Sequence, residues 1–147
     1  MRSGFRCSGL ALIDPVMPSA EHSFPGVMCG IMDQFASACG EREHALKLDC
    51  RSLEYESLPL KLNEYVILLL NSNVSHSLAS TAYNERREQC AEGVARIHEH
   101  ESKVKSLRDV SLEMLGRYIV DPLIRQRCTF VVEENLRVEK AAGFLKD

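Results

Sequence analysis

The chain has 147 residues, of which 45% are apolar and 27% charged, and its formal net charge is −3. This length suffices for about one globular domain with its own core, and the composition is that of a soluble protein. The negative charge gives no electrostatic basis for binding nucleic acid or an acidic membrane surface. The longest apolar run, at 65–70, is far shorter than the roughly 20 residues of a membrane-spanning helix.

The cysteines and histidines do not indicate a metal site. Six cysteines are scattered singly through the chain, without a C-x-x-C pair, whereas a zinc site needs clustered ligands. His98 and His100 would point in different directions on a helix. We therefore expect reduced, mostly buried thiols in a cytoplasmic protein.

The first 20 residues differ from the rest of the chain. Arg2 and Arg6 precede a short apolar segment at 10–13, as in a signal peptide, but Asp14 and Pro15 interrupt it. We interpret residues 1–20 as an unrelated or disordered leader, without a targeting role.

The segment from Val27 to Ala38 predicts a loop that turns at Gly26 or Gly30 and leads into a short helix ending at Gly40. Asp33 falls in the first turn of this helix, where free N–H groups and the helix dipole stabilise a carboxylate. A carboxylate held there can accept a proton from a bound hydroxyl group. On spacing alone, an ordinary aspartate that only offsets the dipole is the favoured interpretation.

Extended segments follow. Residues 44–50 alternate and 53–60 form a second run, so Arg51 and Ser52 between them predict a hairpin turn. One face of the first run carries Leu46, Leu48 and Cys50. Tyr65–Leu70 is continuously apolar, which predicts a strand buried on both faces.

The polar loop at 71–76 lies at the carboxyl end of this predicted strand. In α/β folds such loops commonly line ligand sites, although this one can also be a simple helix entry capped by Ser77. From Ser77 a helix is predicted to run to Ile97. Its apolar face carries Tyr83, Cys90, Val94 and Ile97.

Two more helices are predicted. One begins at Ser111 and is broken at Asp121-Pro122, and the last covers Leu123–Leu145. The last helix carries a regular stripe that predicts a seam for packing against another helix. The stripe consists of Ile124, Cys128, Val131, Asn135, Val138, Ala142 and Leu145.

Several motifs together resemble galactokinase, a member of the GHMP kinase superfamily. They are AEHSFPGVMCGIMDQFAS at 20–37, HALKLDCRSLE at 44–54, NSNVSHSLAS at 71–80, AYNERREQC at 82–90 and VVEENLRVE at 131–139. The motifs are long, specific and in the family's order, and the resemblance extends from about residue 20 to the end.

The resemblance implies site residues only where the motifs coincide. It implies that Asp33 is the base that takes the proton from the C1 hydroxyl of galactose, as ATP transfers its γ-phosphoryl group. It also implies that Gly30 and Tyr83 contact the sugar, and that Glu21 helps to hold Mg²⁺. From the residues alone, Glu21 would be a surface carboxylate and Tyr83 a core aromatic.

Three family motifs do not occur in this chain: the N-terminal sugar-binding signature, the Gly-Leu-Ser-Ser-Ser phosphate loop and the C-terminal glycine-rich motif. Backbone N–H groups of the phosphate loop cradle ATP. We therefore expect a central galactokinase fragment that is inactive as an isolated chain. A non-catalytic galactokinase-like sugar sensor and a fragment without a function of its own are the alternatives.

The implied fold is α/β (α+β), a partial GHMP kinase fold. Residues 21–75 would be the end of the N-terminal kinase domain, with the catalytic-base helix and strands, and 76–147 the helical start of the C-terminal domain. We expect a cytoplasmic monomer that binds galactose and ATP. We expect it to bind neither nucleic acid nor a membrane.

Overall fold

The computed structural model describes residues 30–73 and 81–146. The chain divides into two compact units between Ala79 and Ser80: the first comprises the residues up to Ala79 together with Phe144–Asp147, and the second Ser80–Gly143. The first unit contains a helix and a hairpin, and the second is helical. The predicted mixed α/β class is confirmed.

The first unit contains helix α1 (Met32–Cys39) and strands β1 (His44–Leu48) and β2 (Tyr55–Pro59). Gly40 follows α1 directly, and its N–H donates to the Ala36 carbonyl at 2.9 Å, which closes the last turn. The helix therefore ends where the glycine predicted.

The strands β1 and β2 form the predicted antiparallel hairpin, with Leu48 opposite Tyr55. Asp49 builds the turn: its carboxylate accepts from the N–H groups of Arg51 at 2.8 Å and Ser52 at 3.3 Å. Because β1 ends at Leu48, Cys50 falls in this turn and is exposed. The prediction that Cys50 shares the inner face of the strand is wrong for that reason.

A small apolar core joins α1 to the hairpin. Its buried side chains are Ile31, Phe35 and Cys39, with Leu46, Leu48, Leu53 and Tyr55 packed against them. The Phe35 and Tyr55 rings meet edge to face, with centroids 5.1 Å apart. Burying a side chain such as Phe35 stabilises the fold by about 1.5–3 kcal/mol.

Cys39 is in a disulfide, which corrects the expectation that all thiols are reduced.

The predicted buried strand at Tyr65–Leu70 is wrong. This segment has no regular secondary structure, and its six side chains are 70–88% exposed. A buried strand needs hydrogen-bonding neighbours. Within the described residues the sheet consists of β1 and β2 alone, and they pair with each other.

The second unit contains α2 (Thr81–His98), a 3₁₀ turn (Leu107–Asp109), α3 (Leu112–Tyr118) and α4 (Pro122–Phe144). Ser111 caps α3, as predicted, by accepting from the Met114 N–H at 3.2 Å. Asp121 caps α4 through hydrogen bonds from the N–H groups of the second and third residues of that helix, Leu123 at 2.8 Å and Ile124 at 3.0 Å.

The helices enclose one apolar core. Its fully buried members include Ile97, Leu115, Ile119 and Cys128. The predicted apolar face of α2 is confirmed for Cys90, Val94 and Ile97, which all pack into this core. The loop between α2 and the 3₁₀ turn is held by His98, whose Nδ1 lies 2.7 Å from the Val104 carbonyl.

The predicted seam along α4 is half right. Of the predicted stripe, Ile124, Cys128 and Ala142 are buried, whereas Asn135 and Val138 are exposed. Val131 is half-buried and packs against the core, in which its neighbour Val132 is buried. None of the helices in the described residues is long and apolar enough to cross a membrane.

Candidate functional site

Asp33 is the second residue of α1, in the first turn, as predicted, and it is exposed. Ile31, the residue immediately before α1, does not cap the helix with its side chain. The N–H groups of the first turn therefore have no capping oxygen from this residue. Within residues 30–73 and 81–146 the Asp33 carboxylate has no hydrogen-bond or ion-pair partner. The helix is anchored on its opposite side by buried Phe35. The Asp33 carboxylate is thus held at the start of an anchored helix, and its oxygens are unpaired within the described residues.

Gly30 lies three residues before Asp33 and is exposed. Apart from its two chain neighbours, none of the described residues has an atom within 4 Å of where a methyl group on its α-carbon would lie. The fold around Gly30 therefore does not require a glycine, and the open space beside its backbone is large enough for a bound molecule to approach closely.

Tyr83 lies near the start of α2 and is 41% exposed. It lines a cleft of about 890 Å³ between α2, the segment at 105–107 and α4. The apolar side of the cleft includes Cys90, Val94 and Val131. Tyr83 is thus on the predicted helix face, but at an open cleft and not in the core.

Cys90 lines this cleft, and its thiol is paired with that of Cys128 in the core. Cys90 and Cys128 are hydrogen-bonded to each other. Burial raises the pKa of Cys128 to about 12, and burial likewise raises the pKa of Cys90, against the opposing effect of Arg87 and Arg127 nearby. Both are therefore neutral thiols at physiological pH, and poor nucleophiles.

Sequence reasoning missed the basic character of this cleft. In the sequence, nothing links Arg86 and Arg87 to Lys105 or Arg127. All four line the cleft. They come from three separate segments, so no local motif in the sequence could have found them.

The predicted site residues are divided between the two units and the residues outside the described part of the chain. Asp33 and Gly30 lie in the first unit and Tyr83 in the second. Glu21, the predicted Mg²⁺ ligand, lies outside the described residues, as do the predicted helix cap Ser77 and most of the loop that precedes it. Among the residues that are described, no three His, Cys, Asp or Glu side chains converge as metal ligands would.

The fold has a counterpart among solved structures. The chain matches a crystal structure of Lactococcus lactis galactokinase complexed with galactose, with a TM-score of 0.74 and 33% sequence identity. The match covers 84% of this chain and 32% of that one. The class is therefore a partial GHMP kinase fold.

The particular family follows from sequence relatives. Galactokinase of Thermotoga maritima is 43% identical over 144 residues, which are 98% of this chain and 39% of that protein. Human galactokinase is 48% identical over 133 residues, 89% of this chain and 33% of that protein. Sequence and structure together show that the chain is related to the galactokinases, which confirms the resemblance.

The relationship is partial in length. The chain spans between 33% and 39% of the length of these two relatives. No family profile matches the chain.

Proposed function

We propose that this chain contributes the catalytic base and a sugar contact to a galactokinase, which transfers the γ-phosphoryl group of ATP to the C1 hydroxyl of galactose. The observation that carries the proposal is the Asp33 carboxylate, exposed in the first turn of α1 and without a partner in the described residues. The 43% and 48% identity to galactokinases supports it.

In this proposal Asp33 accepts the proton of the C1 hydroxyl as that oxygen forms its bond to the γ-phosphorus. The bond between the γ-phosphorus and the bridging oxygen breaks, and ADP leaves. Phosphoryl transfer requires alignment of the nucleophile and stabilisation of charge more than covalent participation of the protein. A carboxylate fixed on a helix anchored by Phe35 meets the first requirement.

Gly30 and Tyr83 position the sugar. The open space beside Gly30 lets the sugar approach the backbone, and the phenol of Tyr83, which is partly exposed, can donate to a sugar hydroxyl or accept from one. Neither residue takes part in proton transfer. Their effect is on orientation, which decides how often the C1 oxygen and the γ-phosphorus are aligned.

ATP supplies the phosphoryl group, and Mg²⁺ would neutralise charge on its phosphates, with Glu21 as the proposed ligand. The Gly-Leu-Ser-Ser-Ser phosphate loop is not among these 147 residues. We therefore propose that this chain is part of a cytoplasmic, monomeric kinase. In it, residues 21–75 form the end of the N-terminal domain and residues 76–147 form the start of the C-terminal domain. The 147-residue chain by itself is inactive in this proposal.

A chimera tests the proposal. This chain would replace the matched 144-residue stretch of Thermotoga maritima galactokinase, and the product would be identified by ³¹P NMR. We expect the chimera to form galactose 1-phosphate from galactose and ATP, and the isolated chain to release no ADP. A folded chimera that binds galactose and ATP without turnover would instead support the non-catalytic sensor. ADP release by the isolated chain would contradict its proposed inactivity.

A further inference from the structure

The cleft between α2 and α4 concentrates positive charge. Its lining includes Arg86 and Arg87 of α2, Lys105 of the following loop and Arg127 of α4. None of the described residues that line it is an aspartate or a glutamate. The chain as a whole has a net charge of −3, so this cluster is not a consequence of a basic composition. Like charges gathered around a cavity with apolar walls focus the electrostatic field into it.

These four cations have no neutralising partner in the part of the chain that the structure describes. Within residues 30–73 and 81–146 none of the four has an ion-pair partner, whereas Arg96 on the same helix as Arg86 pairs with Glu92. The Nε of Arg127 is also buried and has no hydrogen-bond partner. A buried N–H donor without an acceptor costs about 1–3 kcal/mol. A ligand in the cleft with a suitably placed acceptor oxygen could therefore satisfy this donor.

The size and the walls of the cleft indicate the kind of anion. A volume of about 890 Å³ lies in the range of small-molecule sites, which is roughly 300–1,000 Å³. Val94, Val131 and Phe130 give it an apolar and aromatic side. One arginine guanidinium group can donate two parallel hydrogen bonds to two oxygens of a phosphate, which the ammonium group of lysine cannot do.

We propose that this cleft binds a phosphate-bearing small molecule, with its phosphate held by Arg86, Arg87, Lys105 and Arg127 and its remaining atoms against Phe130 and Val131. The site lies wholly within the helical unit and includes neither Asp33 nor Gly30. The proposal does not depend on the proposed kinase function, because it needs no phosphoryl transfer.

The test uses the 147-residue chain with pyrophosphate as the probe, titrated by calorimetry at low and at physiological ionic strength. Binding should be saturable with one site, and it should weaken as salt is raised because the contacts are between charges. Citrate, a polyanion of similar charge without phosphate, should bind at least about tenfold more weakly.

Matched variants separate the cleft from general electrostatics. Arg86→Gln with Arg127→Gln should weaken pyrophosphate binding at least about tenfold, because two charge-assisted contacts are lost. Arg96→Gln with Arg125→Gln removes the same charge from the same two helices outside the cleft, and should change affinity less than about threefold. Lys105→Gln alters an exposed side chain, which keeps the fold intact, and should also weaken binding.

The results that would overturn the proposal are specific. One is the absence of saturable pyrophosphate binding to the folded chain, verified by far-ultraviolet circular dichroism. Another is equal weakening by the cleft variants and the control variants. Citrate or a hexaglutamate peptide binding as tightly as pyrophosphate would also overturn it, since either would show a site for carboxylates.

Discussion

Gly93 of α2 lies directly against the sulfur of Cys128 on α4. A methyl group at Gly93 would overlap the Cys128 Sγ and would come within 3.3 Å of both Ile119 Cδ1 and Ile124 Cγ2. Glycine costs a helix about 1 kcal/mol relative to alanine. Here the absent side chain allows close packing of α2 on α4 beneath the cleft.

Gly93→Ala should therefore destabilise the chain. Overpacking a core costs about 1–3 kcal/mol, which outweighs the gain in helix propensity. Chemical denaturation followed by circular dichroism would measure the change in the free energy of unfolding. Gly116→Ala is the matched control, because Gly116 is inside α3 and a methyl group there meets nothing within 4 Å. It should leave stability unchanged or raise it by up to about 1 kcal/mol; a more stable Gly93→Ala would contradict the packing.

Asp121→Ala should cost about 1 kcal/mol of stability, because the N–H groups of Leu123 and Ile124 lose their acceptor. Asp121→Asn keeps a capping oxygen and should lose much less. The thermal unfolding midpoints of both variants give the comparison. Equal losses in the two would mean that the negative charge at the helix start matters more than the hydrogen bonds.

Much of this architecture could be predicted from the sequence because the signals are local. Gly40 marks the end of α1, and Ser111 and Asp121 mark the starts of α3 and α4, each through hydrogen bonds to neighbours within four residues. The position of Asp33 in its helix could be predicted for the same reason.

Other features could not be predicted because they depend on distant partners. The apolar composition of Tyr65–Leu70 indicates a buried strand, but only a neighbouring strand can bury it. The regular stripe on α4 does not indicate where its partner ends, so Asn135 and Val138 were wrongly placed in a seam. The basic cleft joins three segments, and only the folded chain reveals it.

The exposed segment Tyr65–Leu70 should make the chain prone to aggregation. It combines high β-propensity with the absence of charge and proline, which favours pairing between molecules. Leu69→Lys, at a position that is 88% exposed, should lower light scattering on incubation without lowering the unfolding midpoint. Leu58→Lys is the contrasting variant: Leu58 is buried, so this change should destabilise the first unit. Unchanged aggregation of Leu69→Lys would show that another surface is responsible.

Gly30 allows sugar binding to be separated from folding. Because a methyl group at this position meets no described residue beyond its chain neighbours, Gly30→Ala should leave the unfolding midpoint unchanged. In the Thermotoga maritima chimera the same change should raise the KM for galactose at least about tenfold, since it would fill space that the sugar uses. The KM for ATP serves as the internal control and should not move. An unaltered KM for galactose would remove Gly30 from the sugar site.

The most direct test of the central claim is the turnover of the chimera carrying Asp33→Asn. Asparagine has the same shape but cannot accept the proton, so kcat should fall by about 100- to 10,000-fold while galactose still binds. Glu64→Gln removes another exposed carboxylate of the same unit and should leave kcat within about twofold. A kcat for Asp33→Asn equal to that of Glu64→Gln would contradict the assignment of Asp33 as the base.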